Sequence, residues 1–167
     1  DRASNVPPGC NGVVFLPYLT GGYGDSDVKG CFLNMTMASD QAVLWRSVLE
    51  AIAYDYGDVV DNYRNAGIKI NTINVTEGGS RDPLWNQIKA DVLETQIETY
   101  ENSGGALLMN SLIASYAVGN VHDLKGRLIS HLHLSAHFTP QPKLADFYKK
   151  QAAIQKQLLH CLNNKTI

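Results

Sequence analysis

The sequence predicts an α/β layered domain, and three observations lead there. Segments of helical periodicity alternate with short apolar runs, the order expected when helices cover strands. Of the 167 residues, 44% are hydrophobic and 18% charged, which favours a packed core over disorder. No repeat or low-complexity tract interrupts the alternation, and the length fits one compact domain or a part of something larger.

Residues 1–12 read as a polar, Pro- and Gly-rich lead-in loop. Val13 to Leu16 is a short apolar run halted by Pro17, the pattern of a buried strand. Thr20 to Gly30 reads as loop on its glycines and aspartates, and Gly30 to Met35 as a second short strand. The first long helix takes Ser39 as N-cap, with Asp40 in its first turn. Val43, Leu44, Val48, Leu49, Ile52, Tyr56, Val59, Val60 and Tyr63 follow at helical spacing, and Gly67 stops it. Ile68, Ile70, Ile73 and Val75 mark an extended segment ending at Glu77-Gly78-Gly79-Ser80. Asp82 and Pro83 then supply the N-cap and first position of a second helix, striped by Leu84, Trp85, Ile88, Val92 and Leu93. Thr95 to Thr99 is a strand candidate, and Gly104 to Val118 is apolar enough to predict a buried helix. His131 to Phe138 fits a strand or an irregular segment. Thr139 to Pro142 breaks the chain before a last amphipathic helix, packed through Leu144, Phe147, Tyr148, Ala152, Gln155, Leu158, Leu159 and Leu162.

With 14 Lys+Arg against 16 Asp+Glu the formal net charge is -2, which argues against a nucleic-acid partner or a membrane surface. No apolar run reaches the roughly 18 residues of a spanning helix. Nothing near Asp1 reads as a signal peptide, so a soluble globular piece is expected. Three scattered cysteines, Cys10, Cys31 and Cys161, make neither a disulfide framework nor a zinc site, and point to reduced thiols in a cytoplasmic protein. Three N-x-T triplets, at Asn34, Asn74 and Asn164, are what chance supplies in an Asn-rich chain, and weigh little towards a secreted glycoprotein.

The stretch that bears most on chemistry is Ile73 to Trp85, a strand, a Gly-Gly turn and a helix start. Two glycines let a ligand approach the backbone, and a helix N-terminus offers unpaired N–H groups, an arrangement suited to the sugar and phosphate end of a nucleotide. A tight strand-to-helix turn that binds nothing fits the same spacing. His131, His133 and His137 lack an acidic neighbour and read as polar strand positions rather than metal ligands. Asp55, Asp58 and Asp61 read as a solvated helix face. Gly21-Gly22-Tyr23-Gly24 is not followed by helical periodicity, and supports a phosphate-cradling loop only weakly. Trp45 and Trp85 read as packing residues. No Ser/His/Asp or Cys/His pairing can be placed without a tertiary structure.

Four segments in order, over roughly residues 10–160, resemble the C-terminal domain of the FGGY carbohydrate kinases. Gly12 to Gly21 is similar to the family's G-L-x-F-x-P-Y-L-x-G entry. Gly30 to Glu50 is similar to its second signature, with Gly30, Phe32, Met35, Leu44, Ser47, Val48, Leu49 and Glu50 in place. Gly78 to Leu93 resembles the adenosine motif G-G-A/S-R-x-P-x-W-x-Q-x-x-A-D-x-L, and this match is the specific one. Ala114 to Gly119 is similar to the end of the helix that follows. Asn34, Val43 and Glu77 depart from the pattern, the first and last standing where it has glycine. Met109-Asn110 replaces a small Gly-Ala pair.

The resemblance implies a ribonuclease H-like domain of the actin/hexokinase ATPase type, occupying residues 13–162 and lacking its first hairpin, with 163–167 as a tail. It implies the nucleotide-side half of an ATP- and Mg2+-dependent sugar kinase whose substrate is a pentulose, D-xylulose first. Gly78, Gly79 and Ser80 would line the adenine, ribose or α-phosphate, flanked by Arg81 and Pro83, with Asn86 a further candidate. The catalytic base and the sugar pocket would belong to an N-terminal domain. Without that domain the chain is expected to expose strand edges and to self-associate, a homodimer being one form. A non-catalytic nucleotide-binding or regulatory module that kept the fold is the alternative.

Overall fold

The computed structural model of the chain describes residues 2–20, 28–101 and 105–164. The glycine-rich stretch Gly21 to Gly24 lies outside these residues. Two short antiparallel strands, β1 (Val14–Leu16) and β2 (Cys31–Leu33), pair with Phe15 opposite Phe32. A separate three-stranded sheet has the order β3-β4-β5, from Thr72–Val75, Gln96–Tyr100 and Leu134–Phe138. β3 runs parallel to β4, with Ile73 opposite Ile97, and β5 runs antiparallel to β4. Helices α1 (Gln41–Asn65), α2 (Pro83–Leu93) and α5 (Pro142–Asn163) pack together beside these strands, and α3 (Gly105–Ala117) and α4 (Leu124–Ile129) pack on each other.

Hydrophobic spacing explains the layering. Leu49 and Ala53 of α1 meet Ile88 of α2, all under 3% exposed. Two turns on, Val60 joins Ala90, Leu93 and Ile97, so α1, α2 and β4 share one apolar layer. Removing a side chain such as Ile88 from this layer costs about 2–5 kcal/mol. Arg64, in the last turn of α1, donates to the Leu93 carbonyl at 2.8 Å and to Thr95 Oγ1 at 2.6 Å. It thereby satisfies a carbonyl left open where α2 stops in the left-handed residue Glu94.

Four sequence expectations change. The long helix is capped by Asp40, whose carboxylate accepts from the Val43 N–H at 3.0 Å, while Ser39 Oγ accepts from the Thr36 N–H one turn earlier. The lead-in carries two 3-10 turns, Arg2–Asn5 and Cys10–Gly12, and buries Ala3, Val6 and Cys10. Val6 and Cys10 pack with Val13 and Val43, giving an apolar role to the Val43 that departs from the signature. Helix α3 is not buried: Leu107 is 79% exposed and Tyr116 52%. Helix α4 had no sequence signal, being six residues with an Asp123 cap and a glycine inside.

A buried polar network fastens the lead-in to α1 and α5. Glu50, 2% exposed, accepts from the Arg46 Nε–H at 2.8 Å, the Gly9 N–H at 3.0 Å, the Tyr54 hydroxyl at 3.1 Å and the Tyr148 hydroxyl at 3.4 Å. Burial, reinforced by the Glu50 charge, pushes the Cys10 thiol and both phenols up from their ordinary values. Gly9 has φ +80°, and a Cβ there would stand 2.7 Å from Phe147 Cζ, so only glycine brings its N–H to this carboxylate.

Candidate functional site

β3 ends at Val75, and the chain turns into a single 3-10 turn, Glu77–Ser80, before α2 begins at Pro83. The Arg81 N–H closes this turn on the Gly78 carbonyl at 3.3 Å. Two α2 side chains hold it from beneath. Asn86, 1% exposed, donates its Nδ2–H to the Ser80 carbonyl at 2.8 Å. Lys89, 3% exposed, donates to the Gly79 carbonyl at 3.0 Å and to Asn86 Oδ1 at 3.1 Å. Its ammonium also lies 3.9 Å from the centroid of the Trp85 ring. Helical spacing produces this arrangement, because Trp85 and Asn86 precede Lys89 by four and three residues on one face. Burial holds the Lys89 amine down to about 8, with the Asp82 carboxylate opposing part of that shift.

The two glycines play different parts. A Cβ on Gly79 would stand 3.3 Å from Trp85 Cζ3 and 3.7 Å from Lys89 Nζ, so Gly79 faces the packed underside. A Cβ on Gly78 would meet nothing within 4 Å, so Gly78 faces open space. The open side of the turn is therefore the one where a ligand can reach the backbone without displacing a side chain. Arg81 and Pro83 are exposed at its exit, and Gly79 and Ser80 are half-buried. The turn thus gathers Gly78, Gly79 and Ser80 with Arg81 and Pro83 beside them. Asn86 lies beneath, its amide N–H and carbonyl both committed within the protein.

The helix N-terminus is not open to an anion, and the Asp82 N-cap expected from the sequence is what closes it. Asp82 Oδ1 accepts from the Leu84 N–H at 2.9 Å and the Trp85 N–H at 3.3 Å, and its carbonyl accepts from the Asn86 N–H at 3.0 Å. A carboxylate already fills the role a phosphate would take there. Trp85 Nε1, also buried, has no partner among the described residues.

Lys89 is the residue that sequence reasoning missed. Its signal was a lone lysine among Ile88, Ala90 and Asp91, three and four residues after the motif's Asn86 and Trp85. The last part of the motif serves the fold. Asp91 Oδ1 accepts from the Gln141 backbone N–H at 2.7 Å and from Gln87 Nε2 at 3.0 Å, tying the start of α5 to α2. Asn34, where the signature has glycine, adopts φ +58° and donates to the Gly12 carbonyl at 3.0 Å, a left-handed position that asparagine tolerates.

The aspartates of α1 are more engaged than a solvated face. Asp58 pairs with Lys156, Asp61 with Arg64 at 3.4 Å, and Asp55 accepts from Gln155 Nε2 at 3.3 Å. Burial, with the neighbouring Asp58 charge, pushes Asp55 up to about 6. His131 Nδ1 is within 2.7 Å of the Arg127 carbonyl, while His133 and His137 are exposed. Among the described residues no three His, Cys, Asp or Glu side chains converge as a metal site, and no helix is long and apolar enough to cross a membrane.

Comparison with known proteins bears on the family and the fold. Residues 1–118 match the model of the FGGY family of carbohydrate kinases, C-terminal domain. The chain is 26% identical over 159 residues to a xylulose kinase of Staphylococcus epidermidis, covering 93% of this chain and 32% of that one. It is 27% identical over 169 residues to a gluconokinase of Bacillus licheniformis, covering 98% and 32%. The crystal structure of xylulose kinase from Rhodospirillum rubrum superposes with a TM-score of 0.80 at 26% identity, over 96% of this chain and 33% of that one. The chain thus spans about a third of the length of these relatives. Its α/β arrangement is the ribonuclease H-like fold that these sugar kinases share. On the family match and the fold together, this chain is a C-terminal domain of the FGGY family of carbohydrate kinases.

Proposed function

We propose that this chain is the nucleotide-side domain of an ATP-dependent sugar kinase, with residues 13–162 as the domain, 1–12 leading in and 163–167 trailing. The observation that carries this is the open face at Gly78, set on a turn braced from below by Asn86 and Lys89. The adenosine lies along Gly78, Gly79 and Ser80, with Arg81 and Pro83 flanking it. The Asp82 carboxylate sits on the α2 amides and disfavours a second anion there, so the nucleoside rather than the phosphate chain faces that end. ATP supplies the phosphoryl group, with Mg2+ carried on its phosphates. The residues of this chain bind and orient. Gly78 admits the ligand to the backbone, and Asn86 and Lys89 hold the turn rigid before it arrives, so that little ordering remains to be done on binding.

The catalytic base and the sugar pocket lie in an N-terminal domain, consistent with relatives about three times as long. D-xylulose is the substrate we favour, because xylulose kinases from several organisms align over about nine-tenths of the chain, with gluconate the competing reading on an alignment of similar identity. The cytoplasm is its compartment, in keeping with three dispersed free thiols, one of them buried. A coupled ATP-consumption assay on the complete polypeptide, run against D-xylulose, L-ribulose, gluconate and glycerol, tests the proposal. Turnover with D-xylulose above the others is expected. Saturable nucleotide binding with no turnover on any sugar would favour the non-catalytic module instead.

A further inference from the structure

We infer that Lys89 is a positioning residue for nucleotide binding, acting through the Gly78–Ser80 turn rather than by touching the ligand. This rests on the adenosine site proposed above. A lysine only 3% exposed must have its ammonium satisfied, since an unpaired buried charge is expensive. Here its three N–H groups have three partners in the same place: the Gly79 carbonyl, Asn86 Oδ1 and the face of the Trp85 ring. One of these is the turn itself, and the second, Asn86, holds the next carbonyl of the turn, that of Ser80. Two successive carbonyls of the turn are thereby drawn down towards α2. Drawing them down leaves the opposite side, at Gly78, clear to 4 Å. No hydrophobic side chain can replace this arrangement, because the Gly79 carbonyl and the Asn86 amide oxygen would lose their donor together.

A role confined to stability would affect every substrate alike, so the test reads nucleotide and sugar separately. In the complete polypeptide, Lys89→Met keeps the apolar stem and removes the ammonium. It is expected to raise the Kd for Mg-ADP and the KM for ATP ten-fold or more, leaving kcat at saturating ATP and the KM for the sugar within two-fold. Ile88→Val, on the adjacent position facing α1, serves as the control for destabilised α2 and is expected to leave the Kd unchanged. Lys89→Gln, which keeps an N–H donor without the charge, is expected to fall between Lys89→Met and wild type, and it carries the test if the methionine variant does not fold. An unchanged Kd in both Lys89 variants, while Gly78→Trp abolishes binding, would overturn the positioning role and leave the adenosine site standing. Unchanged binding in Gly78→Trp as well would remove the site on which the role depends.

Discussion

Asp55 makes this chain less stable as pH rises, and the direction follows from its surroundings. Burial and the Asp58 charge push its carboxyl up to about 6, so the folded state holds a proton that the unfolded chain has already released. Stability from this group is therefore greatest at and below its unfolded value near 3.8, and falls as pH rises through about 6. Because the group is only half-buried, solvent screening limits the effect to about 1 kcal/mol or less. Asp55→Asn is expected to raise the melting temperature at pH 7–8 by about 2 °C and to flatten its dependence between pH 4 and 6. Thermal melts across that range check it, and an unchanged slope would count against the assignment. At this same scale the sequence was uneven in what it disclosed. Gly78, Gly79 and Pro83 were legible, because a glycine pair and a helix-start proline declare themselves by residue type. Lys89 was not, because a lysine three and four residues after Asn86 and Trp85 equally fits an exposed helix face, and its bond to the Gly79 carbonyl exists only once the turn folds back over α2. Glu50 was placed by its signature, yet its hold on Gly9, 41 residues away, is visible only in the structure.

Helix boundaries show the same division. The Asp82-Pro83 start of α2 and the Gly67 stop of α1 were readable, since capping chemistry is local. The choice between adjacent capping residues was not, because Ser39 and Asp40 both suit the position and a turn at Thr36 draws the serine away. Asp40→Ala is expected to cost about 1 kcal/mol, and Ser39→Ala less than half of that, as measured by urea unfolding. Equal costs would mean that the cap is shared. The adenosine motif also divides by element. Its first half shapes the turn, whereas Gln87 and Asp91 exist to seat the N-terminus of α5. Helix α3 was misjudged for a physical reason: an apolar composition shows that a surface wants cover, not which part of a polypeptide supplies it.

Across the whole molecule, the described residues leave surfaces that a lone domain does not usually present. Ile113, Tyr116 and Val118 join Leu107 in exposure along and just beyond α3, and β3 has only β4 beside it among the described strands. Open strand edges and apolar faces of this kind invite pairing. We propose that a preceding domain covers them, in keeping with relatives about three times as long. The chain alone is therefore expected to bind the dye ANS and to self-associate on size-exclusion chromatography. Adding a separately produced N-terminal domain is expected to remove both behaviours, and a dye-silent monomer without it would contradict this. The most direct test of the nucleotide site is a calorimetric titration of Mg-ADP into the complete polypeptide and its Gly78→Trp variant, with melting temperatures recorded alongside. Gly78 has open space before it, so the indole is expected to leave the melting temperature within about 2 °C while saturable binding weakens at least ten-fold. Equal affinity in the two proteins would mean that adenosine does not lie on this turn.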